Sequence, residues 1–287
     1  MVSLRLSLPT LLLAGALAGA ALCAPAPARA QEILGPRSQG MGSIHRGVGT
    51  SNDALFTNVA GMSLFPRYAA EIFWTRDFKA AESVVSISTV DSRSGPVAGG
   101  IAYSYRYRGA SGEARAGGQI DIGASYRLAE FIMLGSTVRY IAVETDEGTV
   151  NQVTGDTGLM INLFNLIFLG FTGHNVVNPA DTDLIAPRAF GTGVSLFMGQ
   201  LQIGLDYLVT PEVSNSPNRY HAGIEYFAMG AFALRAGWSL DELHDTHRVS
   251  AGLGYVTRTF ALDLSYAQGL DPAAPDQHLG LGIRLFL

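Results

Sequence analysis

The sequence predicts an all-β fold, a transmembrane antiparallel β-barrel of about fourteen strands, and three observations carry that expectation. From Tyr68 to the C-terminus apolar residues recur at every second position. The face between them is made of Gly and Ser with isolated charges, which suits the inner wall of a barrel whose other face meets lipid. The connections after the first hairpin alternate between short and long, as periplasmic turns and outer loops do.

The chain opens on a segment that belongs to export rather than to the fold. Arg5 supplies a positive start, "LSLPTLLLAGALAGAALCA" an apolar stretch, and Ala28-Arg29-Ala30 a small-x-small cleavage site. Residues 1–30 therefore read as a Sec signal peptide cleaved after Ala30, and the destination read for the mature chain is the bacterial outer membrane. Cys23 is preceded by Leu22, where attachment of a lipid requires a small residue, so a lipoprotein anchor is disfavoured. Cys23 is also the only cysteine, so the mature chain has neither disulfides nor thiolate chemistry. The net charge of −5 and the single lysine, Lys79, leave no basic tract for nucleic acid. Mean hydropathy is positive, yet no mature segment supplies the eighteen or so apolar residues of a spanning helix. The nearest, 159–171, is too short and carries Asn162 and Asn165.

Residues 67–287 form the expected barrel, with strands near 68–75, 81–90, 96–107, 117–128, 131–143, 155–163, 166–174, 188–197, 200–209, 218–227, 230–239, 247–256, 259–268 and 277–287. The segment 259–267 shows the pattern: Phe260, Leu262, Leu264 and Tyr266 share one face, Asp263 and Ser265 the other. The parse leaves no charge on the lipid face and assigns Glu71, Arg106, Asp121, Arg127, Arg139, Asp206, Arg219, Glu225, Arg235, Arg248, Asp263 and Arg284 to the lumen. An arginine facing lipid at mid-bilayer costs roughly 2–4 kcal/mol, so this segregation is a physical requirement. Tyr126, Tyr140, Tyr207, Trp238, Tyr255 and Tyr266 fall near strand ends, where aromatic girdles form. The last strand, "HLGLGIRLFL", resembles the C-terminal signal read by the barrel-assembly machinery, with Phe286 penultimate and Leu287 final. The expected surroundings are outer-membrane lipid and lipopolysaccharide.

Residues 31–66 lack strand alternation. "GPRSQGMGSIHRGVGTSNDALFTNVAGM" resembles the N-terminus of the FadL-type superfamily (OmpP/TodX/FadL) of outer-membrane transporters, including the related PorV/PorQ-like proteins. Gly40-Met41-Gly42, Asn52-Asp53-Ala54 and Asn58-Val59-Ala60-Gly61-Met62 occupy the family's motif positions, with Val59 in place of a proline. The resemblance implies a hatch plugging the lumen, with Gly40, Gly42, Asn52, Asp53, Asn58, Ala60 and Gly61 as its motif. It implies a passive channel for small hydrophobic molecules such as long-chain fatty acids; the alternative is a PorV-like barrel serving as a secretion or surface-attachment partner. It further implies a sideways exit at the third strand, where Pro96, Gly99 and Gly100 fall. Physics favours a plug on its own account, because beyond about eight strands side chains no longer fill a barrel. A frayed periplasmic tail is the other reading, and Phe56, Met62, Leu64 and Phe65 argue against it.

Catalytic patterns are weak, no cofactor is implied, and no enzyme is expected. His221 and Glu225 on one strand read as structural charge pairing rather than as an acid/base pair. Asp241, Glu242, His244, Asp245 and His247 share an outer loop that reads as a solvated polar loop in preference to a cation site. Arg106, Arg139, Arg235 and Arg248 have two readings. They either contact an anionic head group in the lumen or pair with acids of the wall and the hatch, and the pairing reading is preferred.

Overall fold

The structure, a computed structural model, describes residues 32–47, 49–108, 116–145, 148–177, 187–211, 215–242, 245–271 and 276–287; the leader lies outside them. Its strands are β1 (Tyr68–Asp77), β2 (Glu82–Asp91), β3 (Val97–Arg108), β4 (Gly117–Ala129), β5 (Ile132–Thr145), β6 (Gly148–Leu163) and β7 (Ile167–His174), followed by β8 (Ala189–Met198), β9 (Leu201–Val209), β10 (Asn218–Ala228), β11 (Phe232–Asp241), β12 (Thr246–Val256), β13 (Phe260–Gly269) and β14 (Gln277–Phe286). Each pairs antiparallel with its neighbours in sequence, and β1 pairs with β14 to close a fourteen-strand barrel. Closure leaves no exposed ladder edge, which a lipid-facing sheet requires.

Strand positions follow the period-2 pattern, with one substantial difference. β6 begins at Gly148 rather than near 155, and Thr145 pairs directly with Gly148. The stretch 148–154 is polar and carries no apolar alternation. Its pattern therefore resembled a loop. At the other ends of the strands the turns are tight: Phe164-Asn165 and Met229-Gly230 take paired positive φ values of 60° and 56°, and of 52° and 72°. Such pairs match the twist of flanking strands.

The wall has two chemistries. Outward, Ile72, Ile87, Ile101, Ile122, Val138, Leu205, Leu253 and Ile283 are exposed at the middle of their strands, and Tyr126, Tyr140, Tyr207, Tyr255 and Tyr266 are exposed towards strand ends. Inward, Asp121, Glu225, Arg235, Asp263 and Arg284 are buried. The strands are longer than their apolar alternation and also carry Arg76, Asp91 and Glu144 on outward positions. All three lie at or next to strand ends, where a charge reaches water instead of the apolar band. Arg76 turns back to donate to the Ala81 carbonyl and the Ser83 hydroxyl, at 3.1 and 3.0 Å.

Candidate functional site

The candidate site is the segment 32–66 together with the strand faces around it. It contains a short α-helix, α1 (Pro36–Gly40), and two 3-10 turns, Ser51–Leu55 and Val59–Ser63. Proline at the start of α1 removes a backbone donor that would have no partner there. Asn58 starts the second turn by accepting from the Ala60 amide at 3.2 Å. Asn58 Nδ2 also donates to the Arg46 carbonyl at 2.8 Å and to the Leu159 carbonyl of β6 at 3.2 Å. Val59, at the family's proline position, is buried and faces Gly123, Gly135 and Gly158.

Wall glycines let the segment's backbone lie directly against the strands. A methyl placed on Gly170 of β7 would sit 1.8 Å from the Arg46 carbonyl oxygen; on Gly237 of β11 it would sit 2.0 Å from the Gly42 amide nitrogen. On Gly223 of β10 the corresponding distance is 2.2 Å, to the Met41 oxygen. Gly135 pairs across the ladder with Gly158, Gly170 with Gly193, and Gly223 with both Gly204 and Gly237. Side-chain-free positions thus form a belt at one level of the barrel, at which the segment is seated. Two glycines of the segment are equally constrained. Gly42 has φ 68° and meets the Ala222 and Trp238 backbones, while a methyl on Gly61 would lie 1.7 Å from the Gly49 oxygen. Beside these glycines the contact is apolar, with Leu55, Phe56, Val59 and Met62 packed on Phe73, Val90, Ala98 and Ala102.

Charge ties the same segment across the lumen. Arg284 of β14 reaches Asp53 at 3.1 Å and Glu71 of β1 at 2.9 Å. Arg37 of α1 lies 3.5 Å from Asp53 and 2.9 Å from Glu225 of β10. Arg235 of β11 then joins Glu225, at 2.6 Å, to Asp263 of β13, at 2.7 Å. Acids and arginines alternate along this chain, so each buried charge has an opposite neighbour. A second knot surrounds Arg46, which is fully buried and bound to Glu32 at 2.6 Å. The backbone amides of His45 and Arg46 donate to Asp206 Oδ2 at 3.0 and 2.8 Å. Asn52 Nδ2 donates to the Ser88 hydroxyl at 2.8 Å, the Ser125 hydroxyl to the Ala60 carbonyl at 2.8 Å, and Arg127 to the Ser63 carbonyl at 2.6 Å.

The four arginines named as candidate substrate contacts all have carboxylate partners. Arg106 pairs with Glu82, Arg139 with Asp121 and Asp156, Arg235 with Glu225 and Asp263, and Arg248 with Asp276. His221 is bonded to the Gly42 carbonyl and Glu225 to two arginines, so they form no acid/base pair. The expected outer loop is shorter than 240–248, because Asp241 ends β11 and Thr246 begins β12; Glu242 accepts from Asn218 and His247 from Trp238, while His244 lies outside the described residues. At the third strand, Pro96 is exposed in the turn before β3 and Gly99 faces outward with open space beyond it. Gly100 faces inward against Met62 and Leu55. β3 pairs with β2 and β4 in unbroken register, so the ladder has no gap at the implied exit; the register shift lies in β4, between Arg127 and Ala129. Arg37, Arg46 and Glu32 carry much of the site and were not singled out in the sequence. The available signal was two arginines inside an otherwise apolar, glycine-rich segment.

Burial raises the Asp53 carboxyl, but Arg284, His45 and Arg37 outweigh it and hold it below the usual carboxylate range. Glu32 is pushed up by burial and held down more strongly, to about 2, chiefly by Arg46. Each acid therefore stabilises the seated segment above its ordinary pKa, and that stabilisation fades as pH falls through the lowered value. The segment is expected to stay seated near neutrality and to loosen as pH falls from 4.5 towards about 2. Proteolysis or hydrogen exchange of residues 32–64 reads this out. Loosening that is complete above about pH 5 contradicts it.

The fold is shared with solved channel and transporter proteins. The CymD monoaromatic hydrocarbon channel superposes with a TM-score of 0.68 at 15% identity, over 88% of this chain and 97% of that one. The Pseudomonas putida toluene transporter TodX gives 0.67 at 13% identity, over 91% and 99%. A Pseudomonas aeruginosa FadL homologue gives 0.61 at 11% identity, over 88% and 98%. No family profile and no curated protein matches the sequence.

Proposed function

We propose, from a barrel whose fold is that of the FadL-type outer-membrane superfamily, that the chain is a passive channel for small hydrophobic molecules with the segment 31–66 as its hatch. The observation that carries the reading is a lumen too wide for its own side chains, occupied by a segment seated on a glycine belt. The ion pairs hold that segment in a closed position, and passage requires it to move. Long-chain fatty acids and monoaromatic hydrocarbons are the substrate classes to test, the latter because CymD and TodX are described as channels or transporters for such compounds. Arg106, Arg139, Arg235 and Arg248 are already paired with carboxylates, so selection in this reading rests on apolar partition and not on capture of a substrate carboxylate.

The ionic chain across the lumen supports one second reading, a permanently sealed barrel that acts as a secretion or surface-attachment partner. The two readings separate in an uptake experiment. Ser63 and Ser125 have hydroxyls 2.8 Å apart, close enough for a cysteine pair, and the mature chain has no other cysteine. Proteoliposomes holding the Ser63→Cys, Ser125→Cys protein are expected to take up labelled oleate or toluene when reduced, and at least about tenfold more slowly when oxidised. Absence of uptake by both the reduced pair and the wild type would sink the transport reading and leave the sealed barrel.

A further inference from the structure

We propose that Asp77, Asp276 and His278 form a binding site for a first-row divalent metal ion of the zinc class, at the outer end of the seam where the first and last strands meet. Asp77 ends β1, and His278 of β14 is its direct cross-strand partner. Asp276 immediately precedes β14. One ligand atom from each residue lies within 4.8 Å of the others. His278 Nε2 is 2.9 Å from Asp276 Oδ1 and 3.6 Å from Asp77 Oδ2. Ligands on a tetrahedral ion with bonds of 2.0–2.1 Å stand about 3.4 Å apart, so these spacings suit a shared ion.

A second, independent observation points at a ligand. His278 and Asp276 are 6% and 3% exposed; the 2.9 Å contact between His278 Nε2 and Asp276 Oδ1 lacks hydrogen-bond geometry, and neither atom has another hydrogen-bond partner. Two buried lone-pair atoms left unsatisfied are costly unless something bridges them. The remaining oxygens of both carboxylates are engaged in ways that aim the free ones. Asp77 Oδ1 accepts the Ala80 amide at 2.8 Å inside the short first outer turn. Asp276 Oδ2 accepts from Arg248 Nε and Nη2. Supporting contacts of this kind orient first ligands in metal sites. Two carboxylates and one imidazole make a mixed O,O,N set that suits Zn²⁺, Mn²⁺ or Co²⁺ better than a thiophilic ion, and three protein ligands leave room for water. The two acids outweigh Arg248 by one charge, so the cluster is net negative before a cation binds.

Held there, the ion would join β1 to β14 at the outer rim and fix the start of β14. The site lies apart from the hatch and does not depend on the channel reading.

Full-length protein purified in detergent and stripped with EDTA is dialysed against Zn²⁺ and, separately, Co²⁺. One equivalent is expected to bind, and Co²⁺ is expected to give a ligand-field absorption band. His278→Gln and Asp77→Asn should each weaken binding at least about 100-fold, and Arg248→Gln, which removes only a supporting contact, about 10- to 100-fold. His244→Gln, in the other histidine-bearing outer loop, should leave affinity unchanged. Heat-modifiable migration on gels shows that each variant barrel is folded. Failure of the wild type to retain either metal, or retention equal to wild type in both ligand variants, overturns the proposal. A loss confined to His244→Gln overturns it as well.

Discussion

Replacing Arg284 with methionine loosens the luminal segment by roughly 3–5 kcal/mol, the cost of leaving buried acids without their cation. Arg284 is the arginine to which Glu71 is paired, and it is the nearer of the two that hold Asp53. Its side chain is buried, so water does not substitute for it. Because about 1.4 kcal/mol is a factor of ten, amide exchange protection over residues 52–64 should fall by roughly two to three and a half orders of magnitude. The triple change Arg284→Met, Asp53→Asn, Glu71→Gln removes the charges together and is expected to return protection to within about tenfold of wild type, since an absent buried ion pair costs far less than a broken one. Wild-type protection in the single variant would show that packing alone seats the segment.

The second large effect belongs to the glycine belt. Gly170→Val places carbon where the Arg46 carbonyl already lies, and neither backbone has a flexible end that can swing aside. Overpacking in a close-packed interior costs about 1–3 kcal/mol, and a backbone-to-backbone clash belongs at the top of that range or beyond it. The barrel keeps its lipid-facing pattern and still forms, while the segment is expelled towards the periplasmic side. A cysteine placed at Ala54, fully buried in the native protein, becomes reactive to a water-soluble maleimide in this background. Gly99→Val serves as the control. Its added methyl meets nothing within 4 Å, so reactivity there should match the parent and stability should change by no more than about 0.5 kcal/mol. Equal labelling in both variants would mean that the belt is not what admits the segment.

The barrel was legible in the sequence because a lipid-facing wall imposes a rule that every strand obeys separately. Apolar residues must alternate outward, and mid-bilayer charges must point inward. Residues such as Leu262, Asp263 and Leu264 declare their faces without reference to any other strand. The rule loses its grip where the wall leaves lipid, which is why the start of β6 and the outward Arg76, Asp91 and Glu144 were not placed. The N-terminal segment was legible through its motif and composition, but its holding contacts were not. Arg46 and Gly170, Asp53 and Arg284, or Asp77 and His278 are far apart in the chain, and nothing in one member of such a pair names the other. The third-strand glycines show the limit most plainly: Gly99 and Gly100 are adjacent and chemically identical, yet one faces open space and the other packs on Met62. The sequence by itself determined the strand number, the alternation of faces and the segregation of charge, all of which are local consequences of a lipid solvent. Only the tertiary structure decided which acid neutralises which arginine, which glycines admit another backbone, and which three ligands meet at the seam, because those depend on barrel closure bringing distant strands to one level.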